Sequence, residues 1–168
     1  MADHPEIETA RLRLRQFRAE DLGPHRAAVD DDPAVTWVHR RLPLAASLRR
    51  WADRLDGWDR DGYGMWIVEE RETGTVIGHC GIQRLEDGDD VEVGYYLGRT
   101  GWGRGYATEA AAASVAYGFD RCGLSRIVAV VRHDNAASQN VLRKVGLRHV
   151  RDGHFYEADA ALYAVDRR

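Results

Sequence analysis

Along the chain, short stretches in which apolar and polar residues alternate are separated by longer stretches with apolar residues at helical spacing. From Ile7 to Phe17, Leu12 and Leu14 alternate with arginines, which predicts a half-buried strand with a charged outer face. From Ala45 to Trp58, apolar residues recur three and four positions apart, which predicts an amphipathic helix ending at Gly62. Further strands are predicted over 63–70, 75–85, 91–97, 126–132, 147–155 and 160–166, and further helices over 19–29, 106–119 and 136–145. The mixed order of these elements predicts an α/β (mixed α+β) fold.

Length and composition narrow the class of protein. With 168 residues and no linker rich in Pro, Gly or Ser, the chain is expected to form one domain over 1–168. Its 27 acidic and 24 basic residues give a net charge of -3, which argues against a nucleic-acid partner. No apolar stretch is long enough for a signal peptide or a membrane span, so no membrane partner is expected. Cys80 and Cys122 form no C-x-x-C pair and lie in apolar surroundings, which suggests buried thiols in a reducing cytoplasm. The seven histidines show no metal-ligand spacing, so no metal is expected.

A glycine-dense turn stands between the predicted strand 91–97 and the helix predicted from Tyr106. Its sequence is GWGRGYA, Gly101 to Ala107. The first N–H groups of a helix have no intrahelical partner and carry about half a positive charge between them, so they bind anions when no side chain intervenes. Glycine at three alternate positions removes such side chains. The turn therefore predicts a phosphate-binding site.

The spacing within this turn excludes two common phosphate-binding motifs. A Walker A loop ends in Gly-Lys-Ser/Thr, whereas arginine and glycine follow Gly103 here. A dinucleotide fingerprint has a small residue three positions after its second glycine, where this chain has Tyr106 or Thr108, depending on the register. The remaining interpretation is that main-chain N–H groups, from about Trp102 to Ala107, wrap a pyrophosphate without a metal or a lysine.

With this turn the chain resembles the GCN5-related N-acetyltransferase (GNAT) superfamily, whose coenzyme A loop follows the pattern Gln/Arg-x-x-Gly-x-Gly/Ala. The pattern falls on Thr100 to Gly105, with Thr100 in place of the opening Gln/Arg. Ile7–Leu22, Tyr63–Ile82 and Asn135–Leu147 resemble, in the same order, segments of the branch that contains the ribosomal-protein alanine acetyltransferases of RimJ/RimL type.

The resemblance implies a mostly antiparallel, twisted sheet of about seven strands with about four flanking helices. It implies that the fourth and fifth strands, 91–97 and 126–132, splay apart and that the pantetheine of acetyl-coenzyme A enters the wedge between them. Acetyl-coenzyme A is then the cosubstrate. The residues expected to bind it are Leu97, Trp102, Gly103, Arg104, Gly105, Tyr106, Ala107, Thr108, Asn135 and Ser138.

The chemistry implied is direct transfer of acetyl to an amine in a ternary complex. Glu92 is the candidate general base, and the main-chain N–H of Leu97 is the candidate oxyanion donor. Many relatives use a tyrosine acid seven residues after Asn135, where this chain has Leu142, so Ser138 is the implied replacement near the sulfur. Alternatives stay open: Glu92 on a solvated strand face, and Asn135 and Ser138 as an ordinary helix cap and a solvent-facing helix residue.

The acceptor substrate is the part of the predicted function that the sequence determines least. Trp37, His79 and Tyr95 are the candidate acceptor-binding residues, although His79 also fits a hydrogen-bonded core histidine. One of Tyr95 and Tyr96 is expected to face the cofactor and the other the core. The branch suggests a protein N-terminal α-amine; the alternatives are a small amine such as a polyamine, amino sugar or antibiotic, and a non-catalytic acyl-coenzyme A sensor. A monomer or homodimer is expected, with a possible dimer edge at Ala160 to Asp166.

Overall fold

The strands of this protein join in one twisted sheet. The structure, a computed structural model, describes residues 4–36, 41–86 and 88–168. The strands are β1 Ile7–Glu8, β2 Leu12–Arg15, β3 Met65–Glu70, β4 Val76–Arg84, β5 Val91–Leu97, β6 Arg126–Val131, β7 Arg148–Phe155 and β8 Ala158–Asp166. Their order is β1-β2-β3-β4-β5-β6-β8-β7, and β5 with β6 is the parallel pair within the described sheet. The mixed, mostly antiparallel fold predicted from the sequence is confirmed.

The helices cover both faces of the sheet. They are α1 Leu22–His25, α2 Pro33–Thr36, α3 Leu44–Asp61, α4 Tyr106–Asp120 and α5 Ala136–Val145, and a π-helical segment, Arg26–Asp30, continues α1. Ala110 and Ala111 of α4 are fully buried and let that helix approach the sheet closely. A Cβ at Gly118 would lie 2.7 Å from Ile127, which shows how tightly α4 packs there. None of the helices in the described ranges has the length and hydropathy needed to cross a lipid bilayer.

The central strands part from each other as predicted. β5 and β6 pair at one position, Glu92 with Val128, and the rest of β5 has no partner strand on that side among the described residues. On its other side β5 pairs with β4 along its whole length. The sheet therefore contains a wedge-shaped gap that opens from Glu92 toward the glycine turn.

Two predictions about the outer parts of the sheet were wrong. The strand predicted over Ile7 to Phe17 is a hairpin of β1 and β2, because Thr9 turns the chain and its N–H donates to the Leu12 carbonyl at 2.9 Å. This hairpin is why the sheet has eight strands and not seven. The stretch from Ala160 to Asp166 is not an edge, because β8 pairs with both β6 and β7, so β1 and β7 are the outer strands.

Candidate active site

The glycine turn brings main-chain N–H groups to the start of α4. Gly103 and Gly105 have φ of 69° and 78°, in the left-handed region that glycine adopts without strain. Both N–H groups of Trp102 have acceptors within the protein. The main-chain N–H donates to the Arg99 carbonyl at 3.1 Å, and the indole N–H donates to the Leu97 carbonyl at 2.7 Å. The first N–H groups of α4 lack intrahelical acceptors. The donors that face an anion thus begin after Trp102, one residue later than expected.

Side chains from the first hairpin hold this turn in place. Arg11 pairs with Glu109 of α4 at 2.7 Å and also donates to the Arg104 carbonyl at 2.7 Å. Arg104 pairs with Glu70 at 2.6 Å, and the Tyr106 hydroxyl donates to the same carboxylate at 2.6 Å. The side chains of Arg104 and Tyr106 are therefore engaged within the protein. A ligand at the turn would contact these two residues through their main-chain N–H groups.

The unpaired side of β5 directs polar main-chain groups into the gap. Gly98 donates its N–H to Ile77 on the β4 side, and successive residues of a strand point their N–H groups to opposite sides. Leu97 and Tyr95 therefore point theirs toward β6, where the strands have separated. The indole bond from Trp102 to the Leu97 carbonyl agrees with this direction. The gap is lined with donors that an extended chain can use as it would use a neighbouring strand.

Glu92 lies where β5 and β6 still pair, and its side chain is buried. It is 5 % exposed and accepts hydrogen bonds from Gln83, at 2.8 Å, and from the Tyr156 hydroxyl of the β7–β8 turn. Burial raises the pKa of the Glu92 carboxyl, the two hydrogen bonds lower it, and the charge of Glu86 raises it, with a net upward shift. The interpretation of Glu92 as a solvated strand residue is therefore wrong.

The candidate base and the candidate oxyanion donor are far apart. Glu92 and Leu97 stand five residues apart on one continuous strand, which at the rise of an extended chain separates them by about 16 Å. A single carbonyl group cannot contact both. The structure does not bring these two predicted residues together.

A tyrosine that the sequence did not single out for this purpose meets Ser138 on α5. Asn135 caps α5, since its side-chain oxygen accepts the Ser138 N–H at 3.1 Å, as the alternative interpretation of that residue had it. The Tyr95 hydroxyl lies 2.8 Å from Ser138 Oγ. Leu142, at the position where many relatives carry a tyrosine, is buried. The contact is invisible in the sequence because 43 residues separate its members.

The remaining predicted acceptor residues lie on the other face of the sheet or outside the described residues. His79 pairs across strands with Tyr96, and Cys80 pairs with Tyr95, so Tyr96 and not Tyr95 shares a face with His79. Trp37 lies outside the described residues. The two tyrosines therefore point to opposite faces of the sheet, with Tyr95 on the side of α5, packed against the core, and Tyr96 on the other side.

His79 belongs to a buried hydrogen-bonded chain. Arg54 Nη2 lies 3.0 Å from His79 Nε2, and His79 Nδ1 lies 2.8 Å from His25 Nε2. Arginine only donates, so His79 Nε2 must accept and Nδ1 must carry the proton that it donates to His25. Both ring nitrogens of His79 are thus used inside the protein, as the interpretation of a hydrogen-bonded core histidine predicts. Across the described ranges, no three His, Cys, Asp or Glu residues are grouped as a metal site would require.

The chain matches a family model described as an acetyltransferase (GNAT) domain over residues 11–148. The Bacillus subtilis protein YkkB, itself uncharacterised, is 32% identical over 165 residues, or 94% of each chain. An acetyltransferase of known structure from Agrobacterium tumefaciens is 26% identical with a TM-score of 0.88, over 99% of this chain and 97% of that one.

A second solved structure shows the same fold with a ligand. It is RimL, a ribosomal L7/L12 α-N-protein acetyltransferase in complex with coenzyme A. It is 17% identical with a TM-score of 0.76, over 96% of this chain and 98% of that one, so the likeness concerns the fold alone. The glycine turn, the separated strands and the match over most of its length show together that this chain belongs to the GNAT family of acetyl-coenzyme A-dependent N-acetyltransferases.

Proposed function

We propose that this enzyme transfers acetyl directly to a primary amine in a ternary complex, and that the acceptor is the α-amine of a protein N-terminus. The observation that carries the mechanism is the gap between β5 and β6, which has Glu92 at its closed end and Ser138 beside it. These groups supply what the reaction requires: a proton acceptor for the amine, a donor for the oxyanion, and a hydrogen bond for the departing thiolate.

The glycine turn and the gap give coenzyme A its place. The main-chain N–H groups from Gly103 into the first turn of α4 suit the pyrophosphate. The Leu97 N–H is the donor in the gap nearest this turn, so it suits the pantetheine better than the reacting carbonyl. The Tyr95 N–H is nearer to Glu92, about 10 Å along the strand, and is our candidate for the oxyanion donor. Such a donor typically contributes roughly a hundred- to a thousand-fold in rate.

The amine must lose a proton before or during attack. Glu92 is the proposed base, acting through water, because a raised carboxyl pKa brings a glutamate nearer to the range in which it accepts protons. An α-amine titrates near ~8 and a lysine amine near ~10.4, so an α-amine needs less help from such a base. This difference favours a protein N-terminus over a lysine side chain.

The departing thiolate must be stabilised on the other face of the gap. Ser138 is the proposed hydrogen-bond donor to the sulfur, and the Tyr95 hydroxyl, 2.8 Å from Ser138 Oγ and 3.2 Å from the Ser138 carbonyl, holds this serine in position. Burial raises the pKa of Tyr95, so its phenol stays protonated at neutral pH and keeps its ability to donate. Many relatives have a tyrosine acid at the position that Leu142 occupies here. Tyr95 and Ser138 together are proposed to stabilise the thiolate in its place.

An acceptor screen that measures free thiol tests the function. N-terminal peptides should release coenzyme A from acetyl-coenzyme A faster than polyamines, amino sugars or lysine side-chain analogues do. Glu92→Gln should lower kcat/KM by roughly a hundred-fold or more, and Ser138→Ala should lower kcat with little change in the affinity for acetyl-coenzyme A. Asn140→Ala, an exposed change on the same helix, should leave both parameters unchanged.

Different failures of this screen have different meanings. Preference for a small amine would replace the acceptor and keep the mechanism. Full activity of both Glu92→Gln and Ser138→Ala would overturn the residue roles. Tight binding of acetyl-coenzyme A, seen as a rise in Tm, without thiol release for any amine would favour an acyl-coenzyme A sensor.

A further inference from the structure

A small cavity lies on the face of the sheet opposite α4 and α5, between α3 and the paired residues His79 and Tyr96. Its lining includes His25, Asp30, Ser47, Arg50, Trp51 and Arg54. Because Glu92 and Tyr96 point to the same face of β5, this cavity stands on the side from which an amine would reach Glu92. Its chemistry therefore bears on the acceptor.

Two arginines enter this cavity from one helix without a carboxylate partner. Arg50 and Arg54 are four residues apart on α3, a spacing at which like charges face and repel each other. Among the described residues no carboxylate forms an ion pair with either guanidinium, although most of the other described arginines have such a pair. Arg54 instead stacks on Trp51, 4.7 Å from the ring centroid, and bonds to the neutral His79. Within the described ranges, neither guanidinium thus has a carboxylate at ion-pair distance, and the nearest acid in the cavity wall is Asp30.

Partial burial of Arg54 makes the absence of a direct ion pair costly. Desolvation and the charge of Arg50 lower the pKa of Arg54 to about 9, against the charge of Asp30, which raises it, so the guanidinium is still charged at neutral pH. Asp30, the acid in the cavity wall, is directed elsewhere: its carboxylate accepts the Ser47 hydroxyl at 2.8 Å, and Ser47 is held by Arg26 at 2.6 Å. An anion at this cavity would therefore meet two cations, the half-buried Arg54, which Trp51 and His79 hold in place, and the exposed Arg50.

Tyr96 connects this cationic pair to the proposed base. Burial raises the pKa of its hydroxyl, the charge of Glu92 also raises it, and the charges of Arg50 and Arg54 lower it. One phenol thus lies within electrostatic reach of both the proposed base and the arginines. A ligand with an amine near Glu92 and an anionic group near α3 would complement the negative charge of the glutamate and the positive charges of the arginines.

We propose that Arg50 and Arg54 bind an anionic group of the acceptor, so that the natural substrate is an amine that also carries a carboxylate. A carboxylate fits because the planar guanidinium presents paired donors at the spacing of its two oxygens. This inference rests on the proposed function, since it names the acceptor class of the same site. It disfavours polyamines and cationic antibiotics, because two guanidinium groups without an ion-pair partner among the described residues repel them.

Matched acceptors that differ in one charge test the inference. The pairs are 5-aminopentanoate against 5-aminopentanamide, and peptides that begin Ser-Asp against peptides that begin Ser-Asn. The enzyme should prefer the acidic member of at least one pair in kcat/KM, by roughly ten-fold or more, as expected for a charge-assisted hydrogen bond. Arg50→Gln and Arg54→Lys should each reduce that preference, mainly through KM. Arg49→Gln, which removes the same charge from a neighbouring position of α3 outside the cavity, should leave it unchanged.

The outcomes separate this inference from the proposed function. Equal use of both members of every pair would overturn the inference and leave the acetyl transfer intact. Loss of activity by Arg50→Gln and Arg54→Lys on acidic and neutral acceptors alike, with a lowered Tm, would show that the arginines only support the fold. Absence of thiol release with every amine would contradict the proposed function itself.

Discussion

At the scale of single residues, the carboxylate of Glu92 depends on a contact that closes over it from the far end of the chain. Tyr156, on the β7–β8 turn, donates its hydroxyl to Glu92, and its main-chain N–H donates to Glu86 at 2.9 Å. Burial raises the pKa of Glu92, whereas the bond from Tyr156 stabilises the charged form and lowers it. The pKa of the proposed base is therefore a balance, in which burial and the charge of Glu86 raise it and the bonds from Tyr156 and Gln83 lower it.

This balance predicts opposite shifts in the pH profile. Tyr156→Phe removes a donor to the carboxylate, so the acid limb of kcat/KM should move to higher pH. Glu86→Gln removes a nearby negative charge, so the limb should move to lower pH. Steady-state rates between pH 5 and pH 9 would measure both, and a limb that stays in place in both variants would show that Glu92 is not the group that titrates.

A second prediction at this scale concerns a buried ion pair. Arg15 was expected on a charged outer face, but it is 4 % exposed and bonds to both oxygens of Asp21, at 2.8 and 2.7 Å. Asp21→Asn would leave the buried guanidinium with only Glu69 as a charged partner. Since the two charge-assisted bonds to Asp21 are lost and only the one to Glu69 stays, the free energy of unfolding should fall by about 2–3 kcal/mol.

An exposed pair in the same strand provides the control. Glu6→Gln breaks the pair between Glu6 and Arg13, whose side chains are each about one third exposed. That change should cost less than about 1 kcal/mol in urea unfolding at neutral pH. Equal costs for the two variants would contradict the importance assigned to burial of Arg15.

At the scale of elements, a substitution in the glycine turn should weaken the binding of acetyl-coenzyme A by more than its effect on stability explains. Gly103→Ala places a Cβ at a φ of 69°, which costs about 1–2 kcal/mol in the left-handed region or shifts the turn. A shifted turn would misalign the N–H groups that face the pyrophosphate, so the affinity for acetyl-coenzyme A should fall by about ten-fold or more. Isothermal titration would measure it.

Gly123 offers a matched control for that prediction. It has a φ of 67°, and no atom lies within 4 Å of the position that a Cβ would take, as at Gly103. Gly123→Ala should therefore lower Tm by a similar amount and leave the affinity for acetyl-coenzyme A unchanged. Unchanged affinity in Gly103→Ala would remove the turn from the binding site.

The elements also show what local sequence can and cannot predict. β5 and α5 have the bounds expected from periodicity. The glycine turn follows β5, and Asn135 and Gly146 border α5, so the sequence marks where each element ends. The first hairpin and the π-helical segment after α1 were missed, since neither changes the spacing of apolar residues. The contacts of Tyr95 with Ser138 and of Tyr156 with Glu92 join residues 43 and 64 positions apart, so only the assembled sheet reveals them.

At the scale of the whole molecule, the proposed mechanism places the base and the thiolate-stabilising groups on opposite faces of the opened sheet. Ser138 and Tyr95 stand on the face that carries α4 and α5, where the core packs. Glu92, Tyr96 and the two arginines of α3 stand on the other. A thioester lying in the plane of the gap would present its leaving group to one face and its carbonyl carbon to an amine arriving from the other.

The gap beside β5 leads to a last prediction, which concerns the hydrogen exchange of individual amides in that strand. The N–H groups of Gly94 and Tyr96 point toward β4 and are bonded in that ladder, whereas those of Tyr95 and Leu97 point into the gap. If pantetheine enters as an added strand, binding of coenzyme A should slow hydrogen exchange at Tyr95 and Leu97 much more than at Gly94 and Tyr96. Exchange followed by NMR with and without saturating coenzyme A would measure this alternation. Uniform protection along β5 would instead indicate a general tightening of the sheet, and no protection at Tyr95 and Leu97 would place the cosubstrate outside the gap.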